Sequence, residues 1–446
     1  MEAVFYWMEL LPQRLHETLG AEISAVRLFS TLLYVYVLAI IQRLTLTGAN
    51  ANLHHLYHSV TAAFLLYYNF GFTSSYFIGN IIIIYVIIVL FKSSKYAVIL
   101  SLIVNLGILG VGYVENLYSD GSYVISWTTA HCVLTLKLIG LTWDIYDGAQ
   151  QNIKGKEETA VASIPTFLEV LGFSYYPPGL MTGPQISFMK YKRFTEGMFD
   201  QHLSKSWVYG MSRLMAGLVF VIGYPVIGSH LPVSYFYTQQ YTEDPLVYRL
   251  GYMLLWGQIV LARYVGVWLV AEGSCVISGI AFNGVDNSGN VKWNACANIK
   301  LSTYLTATSL QHFVDSFNIN TNKWVLNYVY KRLRFLNNKQ ISQGVALLFL
   351  AAWHGFNSGY FMCFFLEFVF MNGEKQISQL CEKKKLLKAI VTQPALAVLI
   401  KLFTKICATF FLSYALISFD QLQYSQYITV GAVTQCADYC KHNVKW

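Results

Sequence analysis

Charge is scarce in this sequence. Only 12% of its 446 residues are Asp, Glu, Lys or Arg, about half the ~25% of an ordinary soluble domain. The shortage runs along the whole chain and excludes a string of water-soluble domains, although the length would allow several. Catalytic signatures are missing as well. There is no GxSxG, Walker A, GxGxxG or HExxH pattern, which removes the simplest serine hydrolase, phosphate-loop, dinucleotide and zinc-protease readings. The eight cysteines (Cys132, Cys275, Cys296, Cys363, Cys381, Cys407, Cys436 and Cys440) show no CxxC spacing, and only the last two stand close together. Packed thiols are expected, not a disulfide framework or a zinc site. No repeat of fixed period and no low-complexity tract occurs.

What is present is apolar length. Hydrophobic residues make up 55% of the chain, and the mean hydropathy is +0.44. Crossing about 30 Å of hydrocarbon takes ~20 helical residues. Apolar runs of that order fall at 24–44, 76–92, 96–113, 208–228, 249–271, 343–371 and 388–418, with weaker ones at 56–71, 122–143 and 424–435. The pattern predicts an all-α multi-pass membrane protein with about nine to eleven transmembrane or re-entrant helices, several of them tilted. One embedded domain over 1–446 is expected, because little polar sequence remains for another. The first run follows a stretch with Glu2, Glu9, Arg14, Glu17 and Glu22 and no small-residue cleavage site, so no removable signal peptide is expected.

The net charge of +8 is gathered in short patches, Lys331, Arg332, Arg334 and Lys339, then Lys383, Lys384, Lys385 and Lys388. Basic loops beside apolar spans are what the positive-inside rule predicts, so nucleic acid is set aside. The plain reading is topology and lipid headgroups; the sharper one is a docking surface for an anionic cosubstrate, for instance the phosphates of coenzyme A.

Two irregular regions interrupt the apolar sequence. From Asp147 to Ser206 a polar loop is followed by short apolar pieces around Phe167 to Phe173, bounded by Pro165, Pro177, Pro178 and Pro184. These predict short helices lying on or dipping into the membrane surface. The second, "FNGVDNSGNVKWNACANIK" (282–300), leads to "SFNINTNKW" (316–324), with Asn318, Asn320 and Asn322 at alternate positions. A capped turn entering a helix at Lys323 to Leu333 is expected there.

A polar group at bilayer depth costs a few kcal/mol and usually faces a partner, a cavity or a substrate path. His354, inside "VALLFLAAWHGFNSGYFMCFFLEFVF" (345–370), fits that description best. On one helix it would share a face with Asn357 and Ser358, while Gly355 and Gly359 would admit a second backbone closely. Two readings stay open from this segment: a histidine locking two helices by a hydrogen bond, and an imidazole taking a proton at neutral pH. Both flanks are basic, so one long crossing and a hairpin broken at Gly355 each fit. His54, His55 and His58 are read as interfacial, since no carboxylate or cysteine near them completes a metal site. Asp144, Glu272 and Glu367 are membrane carboxylates, with Arg263 as a partner for one of them and structural pairing the default. Aromatics (29 Phe, 32 Tyr, 10 Trp) could line an apolar chamber but equally suit ordinary packing.

With "SFNINTN" and "AAWHGFNSGY" both in view, the sequence resembles the membrane-bound O-acyltransferase family. The likeness covers about 53–370 and includes "HCVLTLKLIGL", "FLEVLGFSYY", "GPQISFMKY", "WLVAEG", "FNGVDNSGNVKWNACANIK" and "KRLRFLNNKQISQGVALLFLAAWHG", with a catalytic core at about 263–370. It implies helices enclosing a catalytic chamber, with His354 and Asn318 as the catalytic pair. Trp268, Glu272, Trp293, Asn298, Asn320, Asn357 and Ser358 follow as substrate-binding candidates, and Asn322 as a further neighbour. The implied reaction, in EC class 2.3.1, moves a fatty acyl chain from acyl-CoA to the sn-2 hydroxyl of a lysophospholipid. Lysophosphatidylcholine comes first, then the ethanolamine and serine forms, in phospholipid remodelling. Acyl-CoA is the cosubstrate; no bound cofactor or metal is implied. The setting is the endoplasmic reticulum membrane, among membrane lipids, with a homodimer left open. No cysteine or serine is marked as a nucleophile, which favours direct transfer over an acyl-enzyme. The rivals are acylation of another alcohol (a sterol, diacylglycerol or protein serine) and a proton-coupled transporter in which His354 and Glu272 form a relay.

The chain departs from that family in carrying Asn294 where an acidic residue is expected, and in its Pro177-Pro178 pair. The tail "CADYCKHNVKW" lacks dilysine retrieval spacing.

Overall fold

The structure is a computed structural model describing residues 2–118, 125–150 and 158–435; the expectations for Cys436, Cys440 and the C-terminal tail lie outside the described residues. Within them the chain is helical, with two isolated antiparallel bridges, Val285 with Val291 and Ile299 with Phe317. The α-helices are α1 (Glu2–Leu19), α2 (Ile23–Leu46), α3 (Ala51–Phe70), α4 (Ser75–Phe91), α5 (Lys95–Leu117), α6 (Trp127–Gly148), α7 (Phe167–Ser174), α8 (Phe188–Thr195), α9 (Ser206–Gly228), α10 (Gln239–Glu243), α11 (Leu246–Ser278), α12 (Leu301–Leu305), α13 (Leu310–Ser316), α14 (Ile319–Tyr328), α15 (Lys339–His354), α16 (Ser358–Lys383), α17 (Lys385–Val391), α18 (Ala397–Gln421) and α19 (Tyr424–Gln435).

Among the described residues six stretches are long and apolar enough to cross a membrane: Ile23–Leu46, Ala51–Phe91, Lys95–Leu117, Asp200–Tyr237, Leu246–Ser278 and Pro394–Gln421. The second folds as two helices, because the chain turns at Gly71, whose φ is +57°. Large apolar side chains stand outward on these helices, including Val208, Val219 and Ile222 on α9 and Val398, Leu399 and Phe403 on α18. Such surface requires lipid to cover it. The protein is therefore a multi-pass membrane protein.

The chain forms two compact units, one of 1–218 with 267–298, the other of 219–266 with 299–446. In the first, α6 is buried along most of its length, with Leu134, Leu138, Leu141 and Ile145 on one helical stripe. Its polar side chains are buried too and find partners: Thr142 donates to the Leu138 carbonyl at 2.9 Å, and Lys137 Nζ lies 3.4 and 3.3 Å from the carbonyls of Phe173 and Ser174. The short helices expected after Pro165 are present as α7 and α8. Val170, Phe173, Phe188, Tyr191 and Phe194 on α7 and α8 are buried in the main core of this unit. Burying those rings removes their apolar surface from water. A capping box, Thr166 with Glu169, starts α7.

The second unit has a smaller aromatic core of Phe236, Tyr241, Tyr252, Trp256 and Tyr427. Gly257 on α11 lets α18 approach, since a Cβ there would stand 2.4 Å from the Ser413 side chain. Helix α16 packs along both α15 and α18.

Candidate functional site

The run 343–371 is neither a single crossing nor one continuous helical face. Asn338 caps α15 by accepting from the amides of Gln340 (3.0 Å) and Ile341 (3.1 Å), and the helix ends at His354. Gly355 follows with φ +145° and ψ −179°, backbone that only glycine adopts without strain. The hairpin broken at Gly355 is the form observed, and it separates His354 from Asn357 and Ser358, which open the next helix. The expectation of a shared face for the three residues is thereby overturned.

Gly359 keeps the role foreseen for it. Its amide donates to the Leu422 carbonyl at 2.9 Å, and a Cβ would stand 2.0 Å from the Ser418 carbonyl oxygen. Gly355 makes the break instead. Ser358 Oγ donates to the Leu422 carbonyl at 3.5 Å and receives a bond from Tyr427 at 3.3 Å, so its hydroxyl is engaged.

Around the half-buried imidazole of His354 stand four rings: Trp353 at 4.6 Å between centroids, Tyr360 and Phe364 each at 5.6 Å, and Phe419 at 5.0 Å. Tyr360 and Phe364 lie one turn apart on α16, a spacing readable from sequence. Phe419, 65 positions from His354 on another helix, gives no local signal. The surroundings are apolar, and among the described residues neither ring nitrogen of His354 makes a hydrogen bond.

Asn318 lies in the same unit. It immediately precedes α14 in the left-handed conformation (φ 53°, ψ 40°), and its side chain makes no capping bond. Asparagine tolerates that backbone, and an outlier of this kind is often held for function. The helix begins at Ile319, four residues before the expected start, so Asn320 and Asn322 lie within it. Asn322 Nδ2 donates to the carbonyls of Val314 and Phe317, both at 3.0 Å, which ties α14 to the preceding turn. Trp324 on α14 stacks on Phe349 of α15 at 5.6 Å, so the helices that carry Asn318 and His354 are packed together.

Trp268, Glu272, Trp293 and Asn298 belong to the first unit. Trp268 is half-buried, while Glu272, Trp293 and Asn298 are buried. Trp293 lines an open cleft of about 350 Å³ with Lys205, Tyr209, Ser212 and Asn290. Asn294 is exposed and accepts a bond from Asn283 at 2.8 Å. Pro177 and Pro178 are buried in a 3-10 turn.

Glu272 pairs with Arg213 at 3.3 Å, where Gly210 and Gly273 bring α9 and α11 into close contact. The distance suits an ion pair, but among the described residues neither carboxylate oxygen accepts a hydrogen bond. Arg263 pairs with none of the three foreseen carboxylates. It binds Asp420 at 2.7 Å, a residue at the end of an apolar run that sequence reading passed over. His54, His55 and His58 are buried within the protein. His55 and His58 share the Tyr191 hydroxyl at 3.0 and 2.9 Å.

The profile of the membrane-bound O-acyltransferase family matches residues 113–417. The chain belongs to that family. It is 37% identical to lysophospholipid acyltransferase 5 of Mus musculus over 428 residues, covering 95% of this chain and 88% of the relative. The Homo sapiens protein of the same name is 36% identical over 430 residues, with the same coverage, and that of Drosophila melanogaster 35% over 424 residues, 93% of this chain and 85% of the relative. The chain is thus a membrane-embedded acyltransferase. The match draws on residues of both units.

Proposed function

We propose that this acyltransferase moves a fatty acyl chain from acyl-CoA to the free sn-2 hydroxyl of a lysophospholipid, lysophosphatidylcholine foremost, in the endoplasmic reticulum membrane. In this reading residues 1–446 make up a single acyltransferase domain. The observation that carries the reading is His354: an imidazole at a helix break, walled by rings, with no hydrogen bond among the described residues. The relatives named for lysophospholipid acylation support the acceptor.

In the reaction, the sn-2 oxygen attacks the thioester carbonyl carbon as His354 takes the hydroxyl proton. Asn318 donates to the developing oxyanion, a contribution of a few kcal/mol by analogy with other oxyanion donors. The carbon–sulfur bond then breaks, and the imidazolium returns its proton to the leaving thiolate. Ser358 is not the nucleophile in this scheme, since its hydroxyl is engaged with Leu422 and Tyr427. Trp268, Glu272, Trp293, Asn298, Asn320 and Asn357 are the residues proposed to shape the substrate path. The apolar surroundings keep water from the thioester.

The test is thiol release by purified protein given oleoyl- or arachidonoyl-CoA and a panel of lysophospholipid headgroups, beside a sterol and diacylglycerol. Release that depends on lysophospholipid is expected. Release driven only by another alcohol sinks the acceptor assignment, and no release with any acceptor favours a transporter. A radiolabelled acyl-enzyme trapped without acceptor would overturn direct transfer.

A further inference from the structure

We infer that the C-terminal end of α18, Ser418 to Leu422, is a positioning segment for His354, with Phe419 as its contact and the Arg263–Asp420 ion pair as its anchor; this rests on the reading of His354 as the base. Phe419 is central to the cluster of rings. Its centroid lies 5.0 Å from His354 at 80°, 5.0 Å from Tyr360 at 68° and 6.4 Å from Phe364 at 81°. Edge-on contacts of this kind are directional, so one ring restrains the imidazole and two of its neighbours together.

The next residue fixes where Phe419 stands. Asp420 Oδ1 accepts from Arg263 Nη2 at 2.7 Å, and Oδ2 from Gln421 Nε2 at 3.0 Å. Arg263 also donates to the Tyr264 hydroxyl at 3.0 Å and lies over that ring at 4.8 Å, while the Tyr264 ring stands 6.5 Å from Phe419. Tyr237 donates to Gln421 Oε1 at 2.6 Å. Leu422 adopts φ 58°, and its carbonyl takes the Gly359 amide at 2.9 Å. The same five residues therefore hold the start of α16 by backbone and the imidazole by ring packing.

In hydrolases that pair histidine with an acid, a carboxylate orients the imidazole by direct hydrogen bonding. Here the carboxylate acts one residue away, through Phe419, and leaves both imidazole nitrogens to the substrates. All five residues, Ser418 to Leu422, lie beyond the 113–417 matched by the family profile.

The test uses purified full-length protein, with turnover, thermal unfolding and carbethoxylation of His354 by diethyl pyrocarbonate read by mass spectrometry. Phe419→Leu keeps apolar bulk and removes the ring. It should lower kcat at least tenfold, leave KM for both substrates within about twofold, and change the rate of His354 carbethoxylation at least threefold. Phe419→Tyr, which keeps the ring, should recover kcat to within about threefold. Asp420→Asn should reproduce the Phe419→Leu pattern, and a His354→Ala/Phe419→Leu double variant should be no slower than His354→Ala. An unchanged carbethoxylation rate in folded Phe419→Leu overturns the positioning role whatever the turnover. Near-normal turnover of His354→Ala overturns the base assignment, and the carbethoxylation rate then still decides the positioning role by itself.

Discussion

Two sets of histidines sit in apolar helices of this protein, and they differ in what their nitrogens touch. His58 uses both, Nδ1 with the Tyr191 hydroxyl and Nε2 with Gln42 at 3.1 Å. His55 shares that hydroxyl, and His54 Nε2 meets the Leu46 carbonyl at 2.9 Å. His354 has four rings around it and no hydrogen bond among the described residues. A buried polar group normally pairs, because leaving it unpaired costs about 1–3 kcal/mol. The first set mostly follows that rule, with His54 Nδ1 alone among its ring nitrogens buried without a partner among the described residues, and it holds helices α2, α3 and α8 together. His354, the histidine that the family resemblance names, is half-buried and bonds through neither nitrogen among the described residues, which supports a role toward substrate over one in packing.

The sharpest way to break this contrast is to exchange the two sets' expected losses. His354→Gln should lower kcat by roughly 10²–10⁴-fold, the range of a lost general base, with an unfolding midpoint close to wild type. Loss of folded protein instead would place His354 with the structural histidines. His58→Leu should do the reverse. It leaves Tyr191 with one partner fewer and Gln42 without its imidazole partner, so about 2–3 kcal/mol of stability should go, while kcat per folded molecule stays within about twofold. A smaller loss is expected at the break itself. Gly355→Ala forces a side chain onto φ +145°, at about 1–3 kcal/mol, and lower kcat at unchanged KM should accompany it as the end of α15 shifts. An Ala variant with wild-type turnover would show that the break does not set the geometry of His354.

The contrast was only partly legible in sequence. Long apolar runs gave the helical membrane class because hydropathy and length are local properties, and Asn318 and His354 stood out because polar residues are costly in such runs. The partners did not stand out. Arg263 and Asp420 are 157 positions apart, and Phe419 looks like any other phenylalanine in an apolar helix. The core packing of α7 and α8 was hidden for a related reason. Their prolines correctly marked short helices, but only the tertiary fold reveals that Phe173, Tyr191 and Phe194 face the core with His55 and His58. The break at Gly355 was visible as an option, and the left-handed asparagine at 318 was not, since alternate asparagines suit a turn as well as a helix start.

The weakest effect expected concerns the support of the structural set. Glu169 accepts from the Thr166 amide at 2.7 Å and hydroxyl at 2.9 Å and pairs with Lys192 at 3.2 Å, next to Tyr191 on α8. Burial works against its charge, but the Thr166 bonds and Lys192 outweigh that and hold its pKa below the usual carboxylate value. A carboxylate with a lowered folded pKa contributes stability above its unfolded value, about 4.3, and that contribution fades as pH falls through the folded one. Glu169→Gln should therefore cost on the order of 1 kcal/mol near pH 7, and the gap to wild type should close below about pH 4. Salt should narrow it at neutral pH by screening Lys192. Urea unfolding of both proteins across that pH range checks the sign. A gap that widens in acid would mean that Glu169 is held protonated, and that the anchoring of Tyr191, and with it of His55 and His58, does not run through this carboxylate.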